Sequence, residues 1–196
     1  MTYLVFDFET TGLEPGRHEP IQVAALLLDD QMAEHGAFEA LMRPLRPEEA
    51  SPEALEVNGR NLDDLASEPH PADVLAQFVG FAQEAGEPVV MVGHNVGFDL
   101  RFLRREEATY GLFLPRRDVA VDTCEMAKVH LQARGHVGDS RLTTIAAHYG
   151  ISYHAHDALG DVRATAQVLG RFRADAPEVF ELARERVGAR QATERK

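Results

Sequence analysis

Cysteine is almost missing from this chain: Cys124 stands alone. A single thiol excludes an intrachain disulfide and suits a reducing compartment, so a cytoplasmic location is expected. No apolar run approaches the roughly 20 residues that a membrane-spanning helix needs, and no basic-then-apolar leader opens the chain. No membrane partner is therefore expected. Lysine is scarce as well: of the 20 basic side chains only Lys128 and Lys196 are Lys, which reads as compositional bias. The shortage that bears on function is positive charge. With 20 Lys and Arg against 32 Asp and Glu, the net charge is -12. A protein that holds duplex nucleic acid through its overall field is usually basic, so that class is excluded. Any affinity for phosphate must be local, with metal ions in an acidic cleft supplying the positive charge.

What is present suits one ordinary domain. The 196 residues are 44% hydrophobic, enough for a sizeable core and too apolar for a disordered chain. The stretch around which the rest is organised is Tyr3-Leu4-Val5-Phe6-Asp7-Phe8-Glu9-Thr10-Thr11-Gly12-Leu13. It reads as a buried strand running into a glycine turn. Side chains alternate along a strand, so Leu4, Phe6 and Phe8 share one face while Tyr3, Val5, Asp7 and Glu9 share the other. Two carboxylates thus project from one side. Like charges that close repel, and burying either alone is costly. Unless both are simply solvated strand-end residues, a cation belongs there, and a hard divalent ion held by oxygens is the simplest.

Further along, Glu14-Pro15-Gly16-Arg17 is a turn, and strands are expected over 21–28 and 37–42. Short links between the first three strands predict an antiparallel meander. Ser51 and Pro52 open a short helix that Asn58-Gly59 ends. A helix over 72–85 carries an apolar stripe at Val74, Leu75, Phe78, Val79 and Phe81. Val89 to Val92 is wholly apolar, as in a parallel strand buried on both faces. A helix over 98–110, a last strand over 119–121 and helices over 123–133, 142–149 and 158–174 follow, and 177–187 closes the fold. The expected architecture is α/β: a five-stranded mixed sheet, three antiparallel then two parallel strands, covered by helices. One domain over residues 1–188 and a polar tail over 189–196 are expected.

Two later stretches carry chemistry. Gly93-His94-Asn95-Val96-Gly97-Phe98-Asp99 follows the apolar strand, and ligand sites in open α/β sheets lie beyond the carboxyl ends of strands. Asp99 also falls at a helix start, where a carboxylate suits the helix dipole and simple capping would explain it. In His154-Ala155-His156-Asp157-Ala158-Leu159-Gly160-Asp161, Asp157 reads as the helix cap, with His156 on the loop before it. Asp161 flanks the buried stripe Leu159, Val162, Ala166 and Leu169. Arg101, Arg104 and Arg105 share one side of the helix after Asp99, and Arg116 and Arg117 follow in what reads as a loop. They offer a steer for a single strand, although a solvated charged face beside Glu106 and Glu107 explains them more simply.

Taken together, Asp-x-Glu-Thr-Thr-Gly-Leu, His-Asn-x-x-Phe-Asp and His-x-x-x-x-Asp resemble the DEDDh family of 3′→5′ exonucleases, in family order from Asp7 to Asp161. His156, five residues before Asp161, matches the His branch; a Tyr branch would want Tyr where Asp157 stands. Within the family the chain is similar to the epsilon proofreading subunit of bacterial DNA polymerase III, including Leu55-Glu56-Val57-Asn58-Gly59-Arg60-Asn61. There the family often has His before the Gly, where this chain has Asn58.

The resemblance implies a ribonuclease H-like fold and hydrolysis of phosphodiesters at single-stranded 3′ ends, DNA foremost, with release of nucleoside monophosphates. It implies that Asp7, Glu9, Asp99 and Asp161 bind two divalent metals, Mg²⁺ or Mn²⁺, and that His156 is the general base. It implies that Thr10, Leu13, His94 and Phe98 line the pocket for the terminal nucleotide, and that a DNA polymerase subunit is a partner. An RNA-trimming exonuclease of the same fold is the alternative within the class, since choice of sugar depends on contacts at the 2′ position. A catalytically silent polymerase-associated module would not need all five acid and His positions. A glycosidase would use paired carboxylates without the later motifs or a metal.

Overall fold

The computed structural model describes residues 1–155 and 157–183, with the backbone alone at Asp118 and Val119. Strand β1 (Tyr3–Thr10) pairs antiparallel with β2 (Pro20–Leu28), which pairs antiparallel with β3 (Glu34–Leu41). Helices α1 (Pro52–Asn58), α2 (Leu62–Leu65) and α3 (Pro71–Gln83) then carry the chain back to β4 (Val89–Gly93), parallel to β1. Helix α4 (Gly97–Tyr110) leads to β5 (Arg116–Asp122), parallel to β4. Helices α5 (Thr123–Ala127), α6 (Leu142–His148) and α7 (Ala158–Asp175) follow. The sheet order is β3-β2-β1-β4-β5, the mixed sheet expected from the pattern. Antiparallel neighbours need only short turns, whereas each parallel neighbour needs a helical crossover. β1 therefore ends up in the middle, with a strand on each edge.

That position explains why β1 and β2 are buried almost throughout. Tyr3 and Val5 join Ala24, Leu26 and Leu28 of β2 under Val162, Leu169 and Phe172 of α7. Leu4, Phe6 and Phe8 join Val23, Ala25 and Leu27 under Phe78 of α3 and Phe102 of α4. Burying each such aromatic or aliphatic side chain contributes about 1.5–3 kcal/mol. Helices thus cover both faces, and the alternation that puts Tyr3 and Val5 towards α7 puts Asp7 and Glu9 on that side too. Among the described residues, no helix is long and apolar enough to cross a membrane.

The structure departs from the sequence reading in several places. Strand β5 starts at Arg116, not 119, because its pairing with β4 begins at Val89; cross-strand partners override local propensity. Arg116 and Arg117 are therefore strand residues, engaged with Glu107 at 2.5 Å and Glu87 at 3.6 Å. The helix expected over 123–133 changes winding after Ala127: Lys128–Gln132 is π-wound, with Ala133 N–H donating to Lys128 O at 3.0 Å. The short α2 was not expected; the Asn61 side chain caps it by accepting from Asp63 N at 2.9 Å. On α7 the buried line runs through Ala158, Val162, Thr165, Val168, Leu169 and Phe172, while Leu159 and Ala166 are only partly buried. Helical winding resumes over 177–183, and 184–188 and the tail 189–196 lie outside the described residues.

The turn after β1 is held at both ends. Thr11 exchanges bonds with Glu19 through N–H to carbonyl (2.8 Å) and Glu19 N–H to the Thr11 hydroxyl (2.9 Å). Ser51 N–H donates to Thr11 O at 2.7 Å, and the Asn58 amide donates to Thr10 O at 2.9 Å. The entrance of α1 is thereby fastened to the end of β1, and Gly59 closes α1 in the left-handed conformation at φ 61°. Gly12 packs so tightly that a Cβ there would fall 2.4 Å from the His18 ring. Gly12→Ala is therefore expected to lower stability by about 1–3 kcal/mol, the cost of overpacking, read as a reduced urea midpoint with an unchanged slope. An unchanged midpoint would show that the turn can open without cost.

Candidate functional site

Three elements meet at the carboxyl end of β1. Asp7 and Glu9 leave the strand towards α7, as the alternation requires. Asp161 lies in the first turn of α7, whose start is set by Asp157: its carboxylate accepts from Gly160 N at 3.0 Å. One oxygen from each of Asp7, Glu9 and Asp161 falls within 4.8 Å of the others. Asp99 comes from the first turn of α4 on the far side of β1. Its carboxylate accepts from Phe8 N–H at 3.1 Å and is 3% exposed. Helix capping, the simplest expectation for Asp99, is thus not its main engagement; it binds the strand that carries the other two acids. All four carboxylates line one cavity of about 230 Å³, together with His94 and Phe98.

The electrostatics follow from burial and crowding. Burial first, then the charges of Asp99, Glu9 and Asp161, push the Asp7 carboxyl well above the usual range. Burial and Asp161 push Glu9 up to about 7, against an opposing pull from Arg60. Burial pushes Asp99 up to about 7 although its bond from Phe8 N–H opposes the rise. Burial and mutual crowding make the charged form of these carboxylates costly. The donor set, several hard oxygens converging from three elements, fits divalent ions that prefer oxygen ligands. Asp7, Glu9 and Asp161 have the spacing for it, and Asp99 borders the same space from the opposite side.

The proposed pocket residues divide. Phe98 lines the cavity and packs against Phe102 with ring centroids 5.1 Å apart. His94 lines it too, but both ring nitrogens are engaged, Nδ1 with the Thr123 hydroxyl at 2.9 Å and Nε2 with Ser140 O at 2.8 Å. A carbonyl only accepts, so Nε2 carries a proton. Burial also pushes the His94 imidazolium pKa down, and His94 ties the end of β4 to the loop before α6. Thr10 and Leu13 are not on the cavity wall. The Thr10 hydroxyl donates to Gly12 O at 2.7 Å within its own turn, and Leu13 stands 74% exposed. Asn58 spends its amide on Thr10 O. His156 lies outside the described residues.

Other residues also stand at or near the site. Thr165 lines the cavity one turn beyond Asp161, a place that helical spacing alone would have indicated. Asn95, at φ 67°, sits on the wall with its N–H donating to Asp122 at 2.9 Å. Burial, with the charge of Asp161, pushes the pKa of the Tyr153 phenol well up. Arg60 acts on Glu9 from beyond α1 while donating to Gln22 at 2.6 Å. Glu9 and Gln22 are cross-strand partners, so this contact needs the sheet to exist first, and no local pattern announces it.

The chain matches the family model described as exonuclease over residues 4–169, and it belongs to that family. It is 34% identical over 174 residues to a DNA polymerase III of the PolC type from Thermotoga petrophila, a match covering 87% of this chain and 12% of that protein. With a DNA polymerase III subunit epsilon-like protein from Rhodobacter capsulatus it shares 36% identity over 177 residues, covering 87% of this chain and 23% of that one. The chain thus spans less than a quarter of the length of either relative. Among solved structures, exonuclease I superposes with a TM-score of 0.78 at 22% identity, over 92% of this chain and 42% of that one. E. coli exonuclease I in complex with a dT13 oligonucleotide gives 0.77 at 21% identity, over 92% and 43%. These likenesses carry the fold, which is ribonuclease H-like.

The raised acids make stability depend on pH and metal together. Glu9 and Asp99 titrate at about 7 in the folded chain and at about 4 when unfolded. Between those values the folded state binds more protons, so stability falls as pH rises through the window. A divalent ion competes with those protons, so the gain in melting temperature from saturating Mn²⁺ over chelator is expected to grow from pH 5 to pH 7.5. Thermal melts at several pH values measure it; a gain that is absent, or that shrinks with pH, contradicts the assignment.

Proposed function

We propose that the chain is a metal-dependent 3′→5′ exonuclease that removes nucleoside monophosphates from single-stranded 3′ ends, DNA in preference to RNA. The observation that carries this is the convergence of Asp7, Glu9 and Asp161 within 4.8 Å beside Asp99, in a member of the exonuclease family. Asp7, Glu9, Asp99 and Asp161 would hold two divalent ions, Mg²⁺ or Mn²⁺. When bound, such ions polarise the phosphodiester and offset the charge that develops on the leaving oxygen. His156 takes the proton of the attacking water; its five-residue spacing from Asp161 supports the role. Water oxygen then bonds to phosphorus and the bond to the 3′ oxygen breaks; that oxygen takes up a proton from solvent, so the nucleoside 5′-monophosphate departs and the shortened strand keeps a free 3′ hydroxyl.

The pocket for the terminal nucleotide has Phe98 on its wall, and Leu13 projects from a turn that several backbone bonds hold in place. An exposed apolar side chain on a rigid turn suits contact with an unstacked base and offers nothing to a paired one. His94 serves this pocket by fixing the wall, since its ring nitrogens are already engaged, and Thr10 by shaping the turn. A polymerase partner and a proofreading role are supported by the polymerase III relatives, and single-stranded DNA by the exonuclease I complex with dT13. The lone Cys124 supports a cytoplasmic setting.

Two expected outcomes test the reading. Asp7→Ala abolishes cleavage of a labelled oligonucleotide in Mn²⁺, and His156→Ala lowers the rate by about 10²–10⁴-fold, the usual loss with a general base. His154→Ala, two residues away, changes little. Near-wild-type cleavage by Asp7→Ala or by His156→Ala would remove that residue from its role. In the second test the rate falls in the order free DNA strand, 3′ mismatch, matched duplex, with RNA of the same sequence slower than DNA. Equal rates on all four substrates would refute both the single-strand and the sugar preference.

A further inference from the structure

We infer that Arg46 is a positioning residue for substrate binding: its guanidinium braces the turn between β1 and β2, so that Leu13 meets the terminal nucleotide at a fixed place. The inference rests on the reading of Leu13 given above and adds a residue outside the three motifs. Leu13 is 74% exposed, and His18 holds both of its chain neighbours. The Glu14 N–H donates to His18 Nδ1 at 3.0 Å, and the His18 ring packs against Gly12. On either side of His18 the turn is fastened to residues 43–51, between β3 and α1. Arg46 Nη1 donates to Gly16 O, and Arg46 Nε lies 3.4 Å from Glu19 Oε1. Glu19 Oε2 accepts from Leu45 N–H at 3.0 Å and from Arg46 N–H at 2.7 Å. Arg17 pairs with Glu49 at 2.7 Å.

Among these ties, the Arg46 side chain bridges both halves of the turn, Gly16 before His18 and Glu19 after it. A guanidinium carries its donors in a fixed fork, so it holds a carbonyl and a carboxylate at once. Glu19 is 7% exposed and both of its oxygens are engaged; a satisfied polar network of this kind rigidifies the backbone around it. Connecting turns are otherwise mobile. An exposed apolar side chain has little around it to fix its place, so its backbone must. A mobile turn would be ordered only as the strand binds, at an entropic cost to affinity, whereas a braced turn is ordered on folding. Gly16, Glu19 and Arg46 are not on the cavity wall. The brace therefore acts on strand binding through Leu13 and not on the metal ligands.

The test uses the full chain as wild type, Arg46→Met, Arg46→Lys, Leu13→Ala and the double variant Arg46→Met with Leu13→Ala. Cleavage in Mn²⁺ is measured on a labelled single strand and on the matched duplex, with amide hydrogen exchange alongside. In Arg46→Met the amides of Arg17 and His18, which donate to Glu14 O at 3.1 and 2.8 Å, exchange faster, while those of β1 and β2 do not. KM on the free strand rises about 10-fold, the scale of ordering one residue on binding, kcat changes little, and the preference for free strand over duplex shrinks. Leu13→Ala raises KM as well, and adding Arg46→Met to it changes nothing further. Arg46→Lys keeps a cation beside Glu19 and shows the same changes less steeply; it carries the comparison if Arg46→Met fails to fold. A purely structural Arg46 would lower the melting temperature and leave KM and strand preference alone. Unchanged exchange at Arg17 and His18, a wild-type KM, or a penalty that persists in full in the double variant overturns the inference and leaves the exonuclease reading standing. If wild type does not shorten the strand, or Leu13→Ala keeps wild-type constants, the reading of Leu13 fails and the inference falls with it.

Discussion

Mutual repulsion among buried carboxylates is the constraint on which the rest of this structure depends. Asp7, Glu9 and Asp161 are held close together, so that the charges of Asp99, Glu9 and Asp161 add to burial in raising the proton affinity of Asp7, and Asp99 joins the set from the opposite side of β1. No isolated strand or helix would keep such a set together. The fold keeps it because the apolar residues that alternate with the acids are fully committed elsewhere: Phe6 and Phe8 beneath α3, Val5 beneath α7. Moving Asp7 away from Asp161 would require pulling those side chains from the core. The repulsion that the core sustains is then available as binding free energy for a divalent cation.

The same packing dictates which acids meet. A strand slipped by one residue would turn every side chain to the opposite face, and Asp7 and Glu9 would point at α3. Register is fixed from both sides, by β2 pairing Asp7 with Ala24 and by β4 pairing Val5 with Val92. Ala24 matters because a small residue beside Asp7 leaves room for α7 to approach. The N–H of Phe8 adds a further bond by donating to Asp99, which draws the start of α4 to the end of the strand. Strand register, helix docking and site assembly are therefore one event.

Much of this was legible in the sequence because it depends on short periods. The period of two places Asp7 and Glu9 together, and the cap at Asp157 with the apolar stripe behind it puts Asp161 at the helix start beside a cleft. What escaped the sequence reading depends on chain closure. Phe8 and Asp99 are 91 residues apart, and nothing local shows that the acid binds strand backbone. Arg60 reaches Gln22, the cross-strand partner of Glu9, only across the β1–β2 pairing. Thr10 shows the limit of a motif: its hydroxyl donates to Gly12 O within its own turn, a local bond that the resemblance does not announce. The length of β5 escaped because its first residues are strand only by virtue of the partner that β4 provides.

The charge balance constrains how a nucleic acid reaches such a site. The chain carries -12 overall, and Arg116 is tied into a pair with Glu107. In the proposed activity a polyanionic strand is therefore repelled by the surface at long range and attracted only at the carboxylate cavity, and only once that cavity holds cations. Metal loading and substrate capture are then coupled through one set of charges. Affinity for a 3′ end would rise with metal occupancy even where no protein side chain touches a phosphate, and the metal-free protein would disfavour the substrate it cannot cleave. A basic surface would attract duplex as readily as a frayed end; an acidic surface around a cation-filled cavity confines attraction to the place where hydrolysis occurs.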